Sequence, residues 1–384
     1  MAQQHEVRRL ARTHTAPPAA IVHDFFIQDG GAEGCAVEFA ALLPGAEIHT
    51  SFFDPRVFGD RIEPGRVRTW PLQRLFGPTR RFRALLPLYP VWFTIHRVGA
   101  PGLVVSSSVA FSKAVRTTPG ALHMSYVYTP MRYAWDLDSY LAGSSHGLAA
   151  RVGARTVRPL LRRWDRSTAS RPDVVVAISE TVRERIARLW GRASEIIYPP
   201  VAVDRIGVSA DDRGYLLVAS RLLAYRRIDL AVKAARLAGR RLVVVGDGPE
   251  RRRLESLAGP ETAFEGFVPR PRLLELLAGC SAYVVPGVED FGIAPVEAMA
   301  AGKPVVAFGE GGVTETVVDG LTGCFFREPT AESLAEALGE IERGRIDPQA
   351  CRRRAEEFDA ERFRAAWRDL FRRYGVDPSL YSGS

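Results

Sequence analysis

The chain of 384 residues is 46% hydrophobic and 25% charged, a balance that buries a sizeable core and excludes a disordered or fibrous polypeptide. Its length favours two domains over one. A formal net charge of +8 draws phosphates, acidic lipid or nucleic acid without choosing among them.

In chain order, residues 1–18 alternate polar, basic and proline residues without the apolar run of a signal peptide, and read as a disordered extension. Ala19 to His23 predicts the first strand, and Gln28-Asp29-Gly30-Gly31-Ala32-Glu33 opens a helix. Adjacent glycines there let a phosphate touch the backbone, although a turn needing glycine only for its shape fits nearly as well. Arg80 to Pro90 mixes cations with apolar residues, and fits either an anionic membrane surface or an amphipathic helix with its cations in water. Leu85 to Ile95 is the longest apolar stretch, and it is too short to span a membrane. Strands are predicted at Leu103 to Ser106, Leu122 to Val127 and Val174 to Ile178, and a linker from Tyr198 to Arg213. The second half repeats the pattern at Tyr215 to Ala219, Leu242 to Val245, Ala282 to Val285 and Val305 to Phe308. Alternation of such runs with helical stretches predicts an α/β architecture of parallel sheets covered by helices. The last helix, Glu361 to Tyr374, places Phe363, Ala366, Trp367, Leu370, Phe371 and Tyr374 on one stripe that needs a large partner surface. Four scattered cysteines, Cys35, Cys280, Cys324 and Cys351, offer neither a metal spacing nor a disulfide framework and fit a reducing cytoplasm.

Two doubly wound domains bind ligands at the carboxyl ends of their strands, in a cleft between the domains. Arg221 and Arg226 follow a predicted strand of the second half, where two cations can hold a diphosphate; a solvated basic turn is the plainer reading. Gly246-Asp247-Gly248-Pro249 lacks the third glycine of a dinucleotide fingerprint, which sets a nicotinamide enzyme well behind. Glu289 lies in a loop after a strand. Pro295 suits the first helical position, so Glu297 is expected in the first turn. Gly292 allows close backbone approach, and the N–H groups from Asp290 through Phe291, Ile293 and Ala294 are available to sugar hydroxyls or oxyanions. Taken singly, Glu289 fits a solvated loop and Glu297 a complement to the helix dipole.

In combination, Glu289-Asp290-Phe291-Gly292-Ile293-Ala294-Pro295-Val296-Glu297 resembles the EX7E motif of glycosyltransferase family 4. Gly309-Glu310-Gly311-Gly312 and Asp319-Gly320 resemble the family's continuation, and Gly30-Gly31-Ala32-Glu33 is similar to its first turn. Tyr128-Thr129-Pro130-Met131-Arg132-Tyr133-Ala134-Trp135-Asp136 looks like a stretch of bacterial GDP-mannose-dependent mannosyltransferases, with Tyr128 in place of a histidine. Ser106 to Lys113 resembles a second family segment, with Val109 in place of a histidine, and Arg226 stands where the family has lysine.

The resemblance covers Ala19 to Tyr374. It implies a GT-B fold: an acceptor-side Rossmann-like domain over 19–199, a nucleotide-sugar domain over 200–360, and a C-terminal segment, 361–384, returning to the first domain. It implies a retaining, metal-independent hexosyltransferase, with mannose favoured, that uses GDP-mannose or a UDP-hexose, a hydroxyl acceptor, no cofactor and no nucleic acid. The setting expected is cytoplasmic, with a peripheral membrane contact. Arg221 and Arg226 would stabilise the leaving diphosphate, Gly30, Gly31, Val268 and the amides near Gly292 would bind the donor, Glu289 would position the sugar and Glu297 the ribose. Val109, Lys113, Tyr128, Arg132 and Asp136 fall on the acceptor side. The alternative is a non-catalytic relative that binds a sugar nucleotide or a partner.

Overall fold

The computed structural model describes residues 19–77, 85–99, 101–137, 148–343 and 346–377. The expected N-terminal extension and residues 80–84 of the basic apolar stretch lie outside these. The chain divides into two compact units, one from Met1–Trp135, Arg158–Pro200 and Glu361–Ser384, the other from Asp136–Val157 and Val201–Ala360.

In the first unit seven parallel strands stand in the order β3-β2-β1-β4-β5-β6-β7. They are β1 (Ala19–His23), β2 (Glu47–Thr50), β3 (Val67–Thr69), β4 (Leu103–Ser108), β5 (Leu122–Val127), β6 (Val174–Ala177) and β7 (Glu195–Ile196). Strands β1, β4, β5 and β6 are buried on both faces; β1 and β6 read as near-continuous apolar runs, while β4 and β5 also bury Ser106, Ser107, Ser108, His123 and Ser125. An aromatic core of Phe52, Trp92, Phe93 and Phe111 covers one face. Helix α1 (Gly31–Leu42) lies beside β1, and α2 (Leu148–Thr168) contributes Trp164 to that core.

In the second unit six parallel strands stand in the order β10-β9-β8-β11-β12-β13. These are β8 (Tyr215–Ala219), β9 (Arg241–Val245), β10 (Thr262–Gly266), β11 (Ala282–Val285), β12 (Val305–Phe308) and β13 (Gly323–Phe326). Helices α3 (Ile228–Leu237), α4 (Arg270–Gly279), α5 (Ile293–Ala300) and α6 (Ala331–Arg343) flank the sheet. Leu216, Val218, Val232, Val244, Val284, Val306 and Leu334 share one core.

Two expectations need correction here. The stretch read as a linker is packed: Val201, Val203 and Ile206 are buried, and the Val201 N–H bonds the Phe358 carbonyl at 3.0 Å. The last helix, α7 (Ala360–Arg373), packs within the first unit, where Trp367 meets Phe39 of α1 with ring centroids 4.8 Å apart and Tyr126 of β5 at 5.7 Å. Its expected stripe is one residue too long, because Tyr374 lies beyond the helix and is exposed.

Candidate functional site

In the second sheet the strand order reverses between β8 and β11, the position at which open α/β sheets leave a crevice at their carboxyl ends. A small open crevice lies there, lined by Ser220 and Arg226 after β8 and by Gly287, Glu289 and Pro295 after β11. Tyr283 fixes the two strands together: its hydroxyl donates to the Ala219 carbonyl at 2.8 Å and accepts from the Ala219 N–H at 3.3 Å.

Within this pocket Arg226 and Glu289 form an ion pair through Nη1 and Oε1, with side chains only 24% and 20% exposed. Nε of Arg226 is buried with no hydrogen-bond partner among the described residues. A buried N–H of this kind is costly unless an acceptor reaches it, and a phosphate oxygen has the required chemistry. The turn Ala224–Arg226 carries the arginine into α3 through Arg227, which holds a left-handed φ of 52°. Such backbone strain concentrates where a side chain must be aimed. Arg221 is exposed on the same loop and makes no ion pair among the described residues.

Three glycine-bearing loops hold these backbones in place. A Cβ at Gly246, whose φ is 120°, would lie 2.0 Å from the Ser220 carbonyl oxygen, and one at Gly248 would lie 2.4 Å from that of Leu222. The Gly-Asp-Gly turn therefore makes room for the Ser220–Leu222 backbone. At Gly287 a Cβ would meet the Tyr225 carbonyl oxygen at 2.7 Å, and at Gly312 that of Asp290 at 2.2 Å. The Gly312 N–H in turn bonds the Glu289 carbonyl at 2.8 Å.

The second glutamate is placed differently from expectation. Helix α5 begins at Ile293 behind Gly292, which is left-handed at φ 95°, so Pro295 is its third residue and Glu297 sits in its second turn. Proline is tolerated there because the first-turn N–H groups have no partner within the helix. Ile293 and Ala294 keep theirs, while the Phe291 ring is buried against Phe358 with centroids 5.4 Å apart. Glu297 pairs with Arg270 at 2.8 Å, and burial pushes its carboxyl above the usual range against the pull of that arginine. Sequence reasoning missed Arg270, the first residue of α4, because the two are joined only by the fold. Val268 is half-buried just before α4.

The residues expected to face the acceptor lie in different environments. Lys113 is corrected to a core position: it is 1% exposed, pairs with Asp165 at 2.7 Å, and lies 5.0 Å from the ring centroids of Trp164 and Trp190. Asp165 also accepts from the indole N–H groups of Trp135 and Trp190, each at 2.7 Å. With no exposed atom to offer, Lys113 has no access to an acceptor. The Tyr128 hydroxyl hydrogen-bonds Ser107 Oγ at 2.8 Å and donates to the Ala32 carbonyl at 2.9 Å, tying β4 to the start of α1. Val109 and Asp136 are half-buried at bends, and Arg132, also half-buried, is the first residue of the short helix Arg132–Trp135. Gly30 caps α1 and Gly31 is its first residue; a Cβ on Gly30 would lie 2.6 Å from Glu33 Oε2. Asp24, at the reversal between β1 and β4, spends its carboxylate on the amides of Ala110 (2.6 Å), Phe111 (3.1 Å) and Ser112 (2.6 Å), and burial raises its pKa against those bonds. All four cysteines are buried thiols, pushed up to about 12 by burial. Among the described residues no group of three or more His, Cys, Asp or Glu is placed to hold a metal ion, and no helix is long and apolar enough to cross a membrane.

Residues 203–358 match the family model described as Glycosyl transferases group 1. The GDP-mannose-dependent alpha-(1-6)-phosphatidylinositol monomannoside mannosyltransferase of Mycobacterium tuberculosis is 30% identical over 236 residues, 52% of this chain and 61% of that protein. The alpha-1,3/1,6-mannosyltransferase ALG2 of Dictyostelium discoideum is 48% identical over 66 residues, 17% of this chain and 16% of that protein. The chain thus spans less than two thirds of the length of these relatives. Among solved structures, Anabaena Alr3699/HepE in complex with UDP and glucose is similar at a TM-score of 0.68 and 16% identity, covering 93% of this chain and 99% of that one. With two parallel sheets of the matching architecture the chain has the GT-B fold, and its residues 203–358, which carry the Arg226–Glu289 pocket, are similar to the glycosyl transferases group 1.

Proposed function

We propose that the chain moves a hexose from a nucleoside diphosphate donor to a hydroxyl acceptor, retaining the anomeric configuration and using no metal. The observation that carries this reading is the Arg226–Glu289 pair in the pocket at the strand reversal, with Arg221 exposed on the same loop. Two guanidinium groups are suited to a diphosphate, and their stabilisation grows as negative charge develops on it when the glycosidic bond breaks. Glu289, already oriented by Arg226, is suited to accept hydrogen bonds from sugar hydroxyls, and the N–H groups of Ile293 and Ala294 add donors at a helix start. Glu297 is suited to the ribose diol, where the donor would compete with Arg270. In this scheme the departing diphosphate helps to deprotonate the acceptor and no protein nucleophile is needed, so the protein contributes orientation and electrostatics. Mannose from GDP-mannose is the favoured donor because the mycobacterial relative depends on it, and a UDP-hexose is second because Anabaena Alr3699/HepE holds UDP and glucose.

The test is a donor screen in a metal chelator, following thermal unfolding with GDP, UDP, ADP and dTDP and then slow hydrolysis of the matching sugar nucleotides. One nucleotide at about 100 times its dissociation constant is expected to add roughly 2.7 kcal/mol of stability. A requirement for magnesium or manganese would overturn the metal-free reading. Binding without hydrolysis or transfer would leave a sugar-nucleotide-binding relative instead.

A further inference from the structure

Two helices on either side of β11 in sequence bring opposite charges together. Arg270 is the first residue of α4, which follows β10, and Glu297 lies in the second turn of α5, which follows β11. Helices that follow the strands of a parallel sheet start at its carboxyl edge, so both residues stand on the edge that holds the crevice. The pairing is unequal: at 2.8 Å the two side chains touch, yet Glu297 is 13% exposed and Arg270 45%. Tyr283, which lines the crevice, connects the pair to it. Burial above all raises the Tyr283 hydroxyl, Glu297 adds to the rise and Arg226 opposes it, so one phenol lies in the field of both charges.

A carboxylate with so little water around it stays ionised only beside a counter-charge, and without one it takes up a proton instead. Arg270 supplies that charge, opposing the upward push of burial. Among the described residues the other groups packed against α5 are engaged elsewhere. Tyr283 of β11 donates to the Ala219 carbonyl. On the helix Pro348–Glu356, Arg352 bonds the Ala300 carbonyl at 3.2 Å, at the far end of α5, and Arg354 bonds the Glu315 carbonyl. The ionised form matters for a diol: a carboxylate accepts from two hydroxyls at once, whereas a carboxylic acid carries a proton on one oxygen and accepts more weakly. The guanidinium, nearly half in water, gives up such a pair at little cost when hydroxyls arrive.

We propose that Arg270 is a positioning residue of the donor site: it keeps the Glu297 carboxylate charged and in place until the ribose 2′,3′-diol of a donor takes it over. This rests on the reading above in which Glu297 meets the ribose, and two separate measurements keep the two failures apart. Full-length wild type, R270A, R270K, E297Q and R270A/E297Q are titrated calorimetrically with GDP, UDP and their 2′-deoxy forms at pH 6.5 and 8.5. Dividing each variant's affinity by that of the wild type at the same pH cancels the titration of the diphosphate itself. R270A is expected to gain about tenfold on the wild type from pH 6.5 to 8.5, as Glu297 ionises without its partner and a neutral contact becomes a charged one. R270K is expected to stay level with the wild type, and R270A/E297Q level with E297Q, since glutamine has no proton to lose. The wild type is expected to prefer a ribonucleotide to its 2′-deoxy form by about tenfold. An R270A ratio that ignores pH, or an R270K variant that behaves like R270A, would overturn the proposal while the ribose preference left the donor reading standing. Equal affinity of the wild type for ribo and deoxy forms, or binding of neither GDP nor UDP, would overturn that reading and the proposal with it.

Discussion

At the scale of single residues, the pairing of Arg226 with Glu289 separates binding from chemistry. Glu289 holds Arg226, so Glu289→Ala releases a cation into the diphosphate site while removing the proposed sugar contact. We expect calorimetry to give nucleoside diphosphate affinity equal to or tighter than wild type, together with a large loss of turnover. Arg221→Ala should act mainly on the rate, by roughly 10²–10³ in kcat, the usual cost of losing one preorganised group at a developing charge. Full turnover by Arg221→Ala, or abolished nucleotide binding in a folded Glu289→Ala protein, would show that these roles are misassigned. Both residues were legible as candidates from their motifs. Their contact was not, because nothing local joins positions 226 and 289. The same holds for Glu297 with Arg270 and for Lys113 with Asp165. Lys113 was expected on the acceptor side, whereas the fold buries it against two indoles.

At the scale of elements, the site depends on loops packed backbone to backbone, and glycine is the residue that permits it. Gly287→Ala would drive a methyl group against the Tyr225 and Arg226 backbone and displace the turn that aims Arg226. We expect turnover to fall by about tenfold or more, in line with the cost of misplacing a group by a fraction of an ångström to an ångström. Gly34→Ala is the control: its Cβ meets nothing within 4 Å, and alanine inside α1 should raise stability by roughly 0.5–1 kcal/mol. Equal activity in the two variants would remove the argument for loop packing. Legibility of the strands follows the same physical logic. The eight expected strands are all present, seven as interior strands buried on both faces and β9 with only its first residue exposed. Of the five that were not foreseen, β3, β7, β10 and β13 are the four sheet edges, and three of these bury too little to need an apolar run. The fifth, β2, is interior but carries His49 and Thr50 into the core, which disguises it. Helix α5 starts two residues earlier than its proline suggests, because left-handed Gly292 sets the cap.

At the scale of the whole molecule, buried histidines set its response to acid. Burial lowers His23 to about 4 and His123 to about 3, and among the described residues His23 Nε2 and His123 Nδ1 have no hydrogen-bond partner. Free histidine titrates near 6.5, so below that pH the unfolded chain binds protons that the folded chain refuses. The stability these groups contribute is complete above pH 6.5 and is lost as pH falls toward their folded values, on the order of 3 kcal/mol for His23 and 5 kcal/mol for His123. Urea unfolding between pH 7 and 4 should therefore show a falling midpoint, less steep in His123→Asn than in wild type. Identical slopes would mean that His123 does not titrate as its burial implies. Helix α7 carries a different consequence, for the order in which the molecule comes into being. During synthesis the segment 201–360 leaves the ribosome as one uninterrupted piece and has its whole sheet available to it. The first unit, begun earlier, must wait, because Phe39 and Tyr126 are sealed only when Phe363 and Trp367 emerge near the end of the chain. The half that is translated first is thus the half that is finished last, and in the interval its aromatic floor is the surface most in need of a chaperone.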